Sequence, residues 1–188
     1  SISDESVGEF SQERICETGT EYHNRALRAM LVSSPLKLHL GQQMIQGRTS
    51  ESPELLPFVD KLLTLYGPSV LPVVRIDAGM TSLANGNGLI ERGIDYLMAV
   101  KSNSGHTYQL LRAHLGSVTA PEDTEGELVG GKQKERSLYR CGFPEGIGGW
   151  THAREGWLVR SFVTDSNGVV SDVAARYFIT SLKPYLNS

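Results

Sequence analysis

Two short apolar runs set the tightest limit on how this chain can fold. Residues 70–76 are apolar except for Arg75, and residues 96–100 are wholly apolar. Runs of this length suit strands buried on both faces rather than helices. Helix-patterned stretches surround them. Leu55, Phe58, Val59, Leu62, Leu63 and Tyr66 recur at steps of three and four, making one apolar stripe. Ser52-Pro53 supplies an N-cap and a proline at the first helical position, and Gly67-Pro68 supplies the stop. Residues 82–92 and 105–115 read as further helices, ended by Gly93 and Gly116. Helix, strand, helix, strand, helix is the grammar of βαβ crossovers and a parallel sheet. Ahead of it, residues 25–33 and the alternating residues 36–40, separated by Pro35, read as an antiparallel pair. The expected fold is therefore α/β with a mixed sheet.

The C-terminal part reads differently. An acidic, glycine-containing loop over 117–131 leads to a basic stretch at 132–140 and a glycine cluster, Gly146, Gly148 and Gly149. Strands are expected at 157–163 and 177–182, with Asp165-Ser166-Asn167-Gly168 as turn chemistry between them. This predicts an additional β-rich segment.

Composition excludes several classes. With 188 residues, 39% of them hydrophobic and 21% charged, the chain can bury a core, and no apolar run approaches the roughly 20 residues of a bilayer span. Two cysteines, Cys16 and Cys141, make no disulfide scaffold, and no leader pattern is evident, so the expected compartment is the cytoplasm. The absence of an initial Met and the end at Asn187-Ser188, directly after a strand-like run, suggest a segment of something longer. A net charge of −3 argues against a generally basic nucleic-acid binder, but the charge is uneven. Residues 1–22, polar and poorly patterned, carry six acids against Arg14, and the remainder is net +2. They are read as an acidic N-terminal segment, with residues 23–188 forming the domain proper.

Asp77 is the position that physics singles out. A carboxylate just past the C-terminal end of a buried parallel strand faces the crevice where open α/β sheets bind ligands. A turn or helix-capping carboxylate would suit Asp77-Ala78-Gly79 equally well. Asn85-Gly86-Asn87-Gly88 lacks the spacing of a dinucleotide fingerprint and reads as a turn within or before a helix. The five histidines and two cysteines show no zinc-ligand spacing, and no Gly-x-Ser-x-Gly elbow occurs. Residues 131–160 carry Lys132, Lys134, Arg136, Arg140, Arg154 and Arg160 against Glu135, Glu145 and Glu155, with Tyr139, Phe143, Trp150 and Trp157 interleaved. Such a mixture can hold phosphates and stack bases, or it can be a solvated strand face with ordinary ion pairs.

Ile76-Asp77-Ala78-Gly79-Met80, followed by Gly93-Ile94-Asp95-Tyr96-Leu97 and Lys101-Ser102-Asn103, resembles the DDE transposases of bacterial insertion sequences, in the subgroup related to the H-repeat-associated proteins. The order matches too. A His23-containing strand, a hairpin, a helix, strand-Asp-Ala, a helix, the Lys-x-Asn segment, a basic Glu-Arg strand around Glu135, and Tyr177-Phe178-Ile179-Thr180-Ser181-Leu182 follow one another across residues 22–182.

The resemblance implies an RNase H-like fold in which three carboxylates hold two divalent ions, normally Mg2+, for in-line attack on a DNA phosphodiester. It implies DNA as partner, both transposon ends and target, no membrane, and homodimer assembly of the parent protein. Asp77 matches the family's second carboxylate and so its metal ligand. Lys101, Asn103, Lys132, Lys134, Arg136 and Arg140 become the expected DNA contacts. The family's Asp-Gly-Lys strand is missing, since only Asp4 precedes His23, and the helix expected to carry the final Glu has no counterpart before Ser188. Glu135 is the internal catalytic candidate, and it matches a family Glu that orients DNA or an arginine. The expectation is a partial catalytic domain with one carboxylate of three and no cleavage on its own. Two alternatives stand beside it: a non-catalytic DNA-binding or interaction remnant using residues 131–160, and an α/β domain binding a small molecule in a closed, mostly apolar pocket at the Asp77 crevice.

Overall fold

A computed structural model describes residues 11–16, 19–32, 37–45 and 50–184. The chain divides into two compact units, residues 1–71 and 72–188.

In the first unit, β1 (Ser11–Cys16), β2 (Gly19–Val32) and β3 (Lys37–Ile45) form a three-stranded antiparallel sheet in that order. The β2–β3 pair is the expected one, running from Arg25↔Ile45 to Val32↔Lys37 with a bulge at Ala29/Met30. The Pro35 turn lies outside the described residues, as does Asp4. A 3-10 turn at Ser52–Glu54 feeds α1 (Leu55–Tyr66), so the helix starts three residues after Ser52 and no side chain caps that turn. The apolar stripe forms as spaced. Leu55, Phe58, Val59 and Leu62 are buried, and the Leu62 side chain stands 3.4 Å from where a Cβ on Gly41 of β3 would sit. Tyr66 ends the stripe at the rim, where its hydroxyl donates to the Leu40 carbonyl at 2.6 Å. Gly67, at φ +81°, turns the chain out of the helix.

In the second unit six strands form one mixed sheet: β4 (Val73–Ile76), β5 (Asp95–Val100), β6 (Asp123–Val129), β7 (Lys132–Gly142), β8 (Glu155–Thr164) and β9 (Val170–Thr180), in the spatial order β4-β5-β9-β8-β7-β6. Only β4 and β5 are parallel, joined by the crossover helix α2 (Leu83–Glu91). All other pairings are antiparallel. A third helix, α3 (Gly105–Leu115), follows β5. This is the expected RNase H-like mixed α/β class with a β-rich C-terminal segment.

Besides residues 96–100, which are buried on one face only, with Leu97 and Ala99 half-buried, two expectations need correction. Residues 70–76 are not a strand buried on both faces. Val70 ends a 3-10 turn, only Val73–Ile76 is strand, and Val73 and Arg75 are exposed because β4 is the edge of its sheet. The second concerns the acidic stretch at 117–131, which contains a strand. β6 is the opposite edge, exposed along its whole length, so its side chains carry no apolar alternation to reveal it.

The core lies on the helix side of the sheet. Tyr96, Met98 and Val100 of β5 are buried in alternation, together with Leu89 of α2 and Leu111 and Leu115 of α3. The glycine cluster finds its reason here. The chain turns through Gly146, Gly148 and Gly149, all at positive φ, and delivers the buried Trp150 against Tyr96, with ring centroids 5.9 Å apart. Asn85-Gly86-Asn87-Gly88 is an interior turn of α2, as expected. A Cβ on Gly86 would lie 2.7 Å from the Trp150 ring, so glycine is what permits the approach.

Candidate functional site

Asp77 follows Ile76, the last residue of β4, and the neighbouring parallel strand β5 delivers Lys101 just past Val100. The loop between Asp77 and α2 is pinned by its own polar groups. Met80 N–H donates to the Asp77 carbonyl at 3.1 Å, and the Thr81 hydroxyl reaches the Ala99 carbonyl at 2.7 Å. Ser82 caps α2 by accepting from Asn85 N–H at 3.2 Å, while the buried Asn85 amide donates to the Met80 carbonyl at 2.7 Å. None of this uses the Asp77 carboxylate, which makes no capping hydrogen bond. It points outward, 75% exposed, with Lys101 Nζ at 3.7 Å. The bland reading, a carboxylate spent on its own turn, is not what forms.

Asp77 and Lys101 line a surface groove of about 730 Å³ together with Asn103, Arg75, Arg176 and Tyr108. Asn103 lies in the 3-10 turn Ser102–Ser104, fixed by Ser104 N–H donating to the Lys101 carbonyl at 2.8 Å. Asp77, Lys101 and Asn103, three of the positions singled out in the sequence, thus share one groove. It is charged and open, unlike the enclosed apolar pocket a small-molecule site at Asp77 would need.

The other sequence candidates stand on β7, where Lys134 and Arg136 line a second groove together with Arg75 and Arg176. Lys132 is exposed and has no ion-pair partner among the described residues. Lys134 and Arg136 both turn to Glu127 of β6, at 4.0 Å and 2.8 Å. Arg140 is taken up inside the protein. Its guanidinium meets Glu155 of β8 through three hydrogen bonds of 2.6 to 3.0 Å and also donates to Glu122 at 2.6 Å. Hydrogen bonding to Glu155 is the main cause that raises the Arg140 pKa above its ordinary value. Glu155 is itself buried and accepts a further hydrogen bond from Trp157 Nε1 at 2.7 Å.

Glu135 is half-buried, alternates in facing with Lys134 and Arg136, and accepts from the Ser137 hydroxyl at 3.5 Å. In the strand order β7 stands four steps from β4. At about 4.8 Å per step that separates Glu135 from Asp77 by roughly 19 Å across the sheet, whereas two catalytic metals sit about 4 Å apart. The two carboxylates do not share one ion. Among the described residues no group of three His, Cys, Asp or Glu side chains could hold a metal. Asp77 offers one hard oxygen ligand, so the described residues do not fit a two-metal centre.

Arg75 and Arg176 carry no local signal that marks them as site residues. Arg75 sits within an otherwise apolar run and Arg176 stands far along the chain in β9, yet both line the Asp77 groove. Only the strand order, with β9 inserted beside β5, brings them together.

A mixed sheet with one parallel βαβ unit, extended by antiparallel strands and carrying an acidic residue past the end of β4, defines an RNase H-like domain. The transposase DDE domain family matches residues 11–177, and the chain belongs to that family. No curated protein matches it. Among the described residues no helix is long and apolar enough to cross a membrane.

Proposed function

We propose that this chain is a partial catalytic domain of an insertion-sequence transposase, acting on DNA in the cytoplasm. Asp77 is the one catalytic carboxylate among the described residues and a ligand for a divalent ion such as Mg2+, and residues 23–188 are the domain proper. The observation that carries this reading is the Asp77–Lys101 pair at the ends of two adjacent parallel strands, with an exposed carboxylate that its own turn does not consume. The parent protein is read as a homodimer on transposon ends and target. Within this chain, Lys101 neutralises a backbone phosphate drawn to the groove and Asn103 donates to it, which orients a strand beside Asp77.

Among the described residues Asp77 alone cannot hold a metal pair, and on this reading the chain binds DNA without cleaving it. Glu135, distant from Asp77, is read as a supporting residue of β7. The rival DNA surface on residues 131–160 is disfavoured because Arg136 and Arg140 face carboxylates at 2.8 Å and 2.6 Å, a closer hold than Asp77 has on Lys101 at 3.7 Å.

Fluorescence anisotropy with labelled DNA, and nicking of supercoiled plasmid with Mg2+ or Mn2+, test the proposal together. The expected result is salt-dependent binding weakened by Lys101→Ala, with no nicking. Metal-dependent nicking that disappears in Asp77→Ala would show that a replacement carboxylate completes the site. Binding that responds to Lys134→Ala but not to Lys101→Ala would favour the β7 surface.

A further inference from the structure

Several cations of the second unit have a carboxylate in reach, Lys101 among them through Asp77. Those on β7 with a carboxylate in reach are spent on it: Lys134 and Arg136 on Glu127, Arg140 on Glu155 and Glu122. Arg75 and Arg176 are exposed, and neither has an ion-pair partner among the described residues. Both line the groove that holds Asp77 and Lys101.

Register aligns these groups. Val100 of β5 pairs with Tyr177 of β9, so Arg176 stands one step past that pair, beside Lys101. Asp77, by contrast, lies level with Ala99, so the neighbouring Lys101 and Arg176 stand two residues further along the sheet, about 7 Å, on the same face. Arg75 precedes Asp77 by two residues and shares its face. Tyr177 faces the other, helix side of the sheet with Tyr108 of α3, and both reach the groove from there. Their rings meet edge to face, centroids 5.2 Å apart, and both are half-buried.

Unpaired cations alone would attract any nucleic acid. Aromatic rings among them discriminate, because a duplex keeps its base faces stacked internally while an unpaired strand has π-faces to offer. We infer that Arg75 and Arg176 are a phosphate subsite, and Tyr108 with Tyr177 a stacking subsite, for an unpaired DNA strand crossing the groove at Asp77. The inference rests on the reading of the groove as a DNA site and adds the form of DNA it takes.

The full chain is titrated with a single-stranded oligonucleotide of about 12 nucleotides, with 2-aminopurine at successive positions, and with its duplex. The single strand is expected to bind at least about fivefold tighter than the duplex at equal salt, and 2-aminopurine fluorescence is expected to be quenched. Arg75→Gln/Arg176→Gln flattens the log K against log salt slope for the single strand by about 1.4, at about 0.7 for each phosphate no longer neutralised. Tyr108→Leu abolishes the quenching while Tyr108→Phe retains it, which separates stacking from loss of packing. Gln109→Ala, an uncharged exposed position of α3 that does not line the groove, leaves all of these unchanged. Duplex binding as tight as single-strand binding overturns the inference and leaves the DNA reading standing, as does a slope unaltered in the double arginine variant. Binding of neither form removes both.

Discussion

Arg140 and Glu155 face each other across β7 and β8, with Nη2 to Oε1 at 2.6 Å and Nε to Oε2 at 3.0 Å, and their side chains retain only 15% and 7% of their exposure. Trp157 Nε1 completes the Glu155 oxygens, and the Arg140 guanidinium lies 5.7 Å from the Trp157 ring centroid. The pair ties two central antiparallel strands together. Removing Arg140 leaves the Glu155 charge buried without its cation, a cost of about 3 to 5 kcal/mol, whereas removing Glu155 leaves Arg140 paired with Glu122. Arg140→Ala is expected to lower stability in urea denaturation by about that much, and Glu155→Ala by less. Were Arg140 a DNA contact instead, Arg140→Ala would weaken binding and leave the urea midpoint where it was.

This pair also shows what the sequence could and could not reveal. Helices α1 and α3 were readable because their signals are local: apolar residues at steps of three and four, and a glycine at the end. The turn at Asp165 was readable for the same reason, and its carboxylate does accept from Asn167 and Val169 N–H at 2.8 and 2.9 Å. Whether Arg140 meets phosphate or Glu155 depends on the β7–β8 register, which pairs Arg140 with Trp157 and brings the side chain of Glu155 within reach. No local pattern encodes that register. The same is true of Arg75 and Arg176, brought to one groove by strand order, and of β6, an edge strand whose exposed residues lack the alternation that burial imposes. Asp77 was readable because its position at a strand end is local, but the fate of its carboxylate depended on the hydrogen bonds of the loop that follows.

The contact between Gly86 and Trp150 gives a sharper test of packing. A Cβ at Gly86 would come within 2.7 Å of the Trp150 ring, itself held by Tyr96 and by a 3.2 Å hydrogen bond from Nε1 to the Thr107 hydroxyl. Gly86→Ala gains about 1 kcal/mol in helix propensity and loses about 1 to 3 kcal/mol to overpacking. The expected outcome is net destabilisation with a changed near-UV circular dichroism band from Trp150. Gly126→Ala, on exposed β6 with nothing within 4 Å of its Cβ position, serves as the control and leaves that band intact. Equal stability of Gly86→Ala and wild type would mean the indole is not held as described.

Burial pushes the Cys141 thiol from 9.0 to about 11, and its Sγ lies 3.7 Å from the Gly156 carbonyl. The raised value sets the sign: the folded state holds the proton more tightly, so this contribution to stability is complete below the unfolded value and is lost as pH rises through about 11. In a Cys16→Ser background, alkylation of Cys141 at pH 7.5 is expected to run about 100-fold slower than for a thiol of pKa 9, and to accelerate up to pH 11. Mass spectrometry of iodoacetamide-treated protein reads both. Rapid labelling at neutral pH would mean the thiolate is accessible and not disfavoured by burial.

Glu127 controls how much of β7 is available to nucleic acid. Its carboxylate takes Arg136 at 2.8 Å and Lys134 at 4.0 Å, all three side chains being more than a third exposed. Exposed pairs of this kind contribute little to stability, and so they are cheap to dissolve. Yet they decide whether two cations of a basic strand present themselves to phosphate or to a neighbouring strand. Glu127→Gln is therefore expected to change stability by less than about 0.5 kcal/mol. It should raise duplex DNA affinity and steepen its salt dependence by about 0.9 for each cation that reaches a phosphate. Lys134→Ala in the wild-type background should change affinity little, since that charge is already answered, whereas the same substitution in Glu127→Gln should remove part of the gain. Anisotropy titrations across a salt series measure all three variants. If Glu127→Gln left affinity and slope unchanged, β7 would lie away from any path DNA takes over this protein, and the groove beside Asp77 would account for binding by itself.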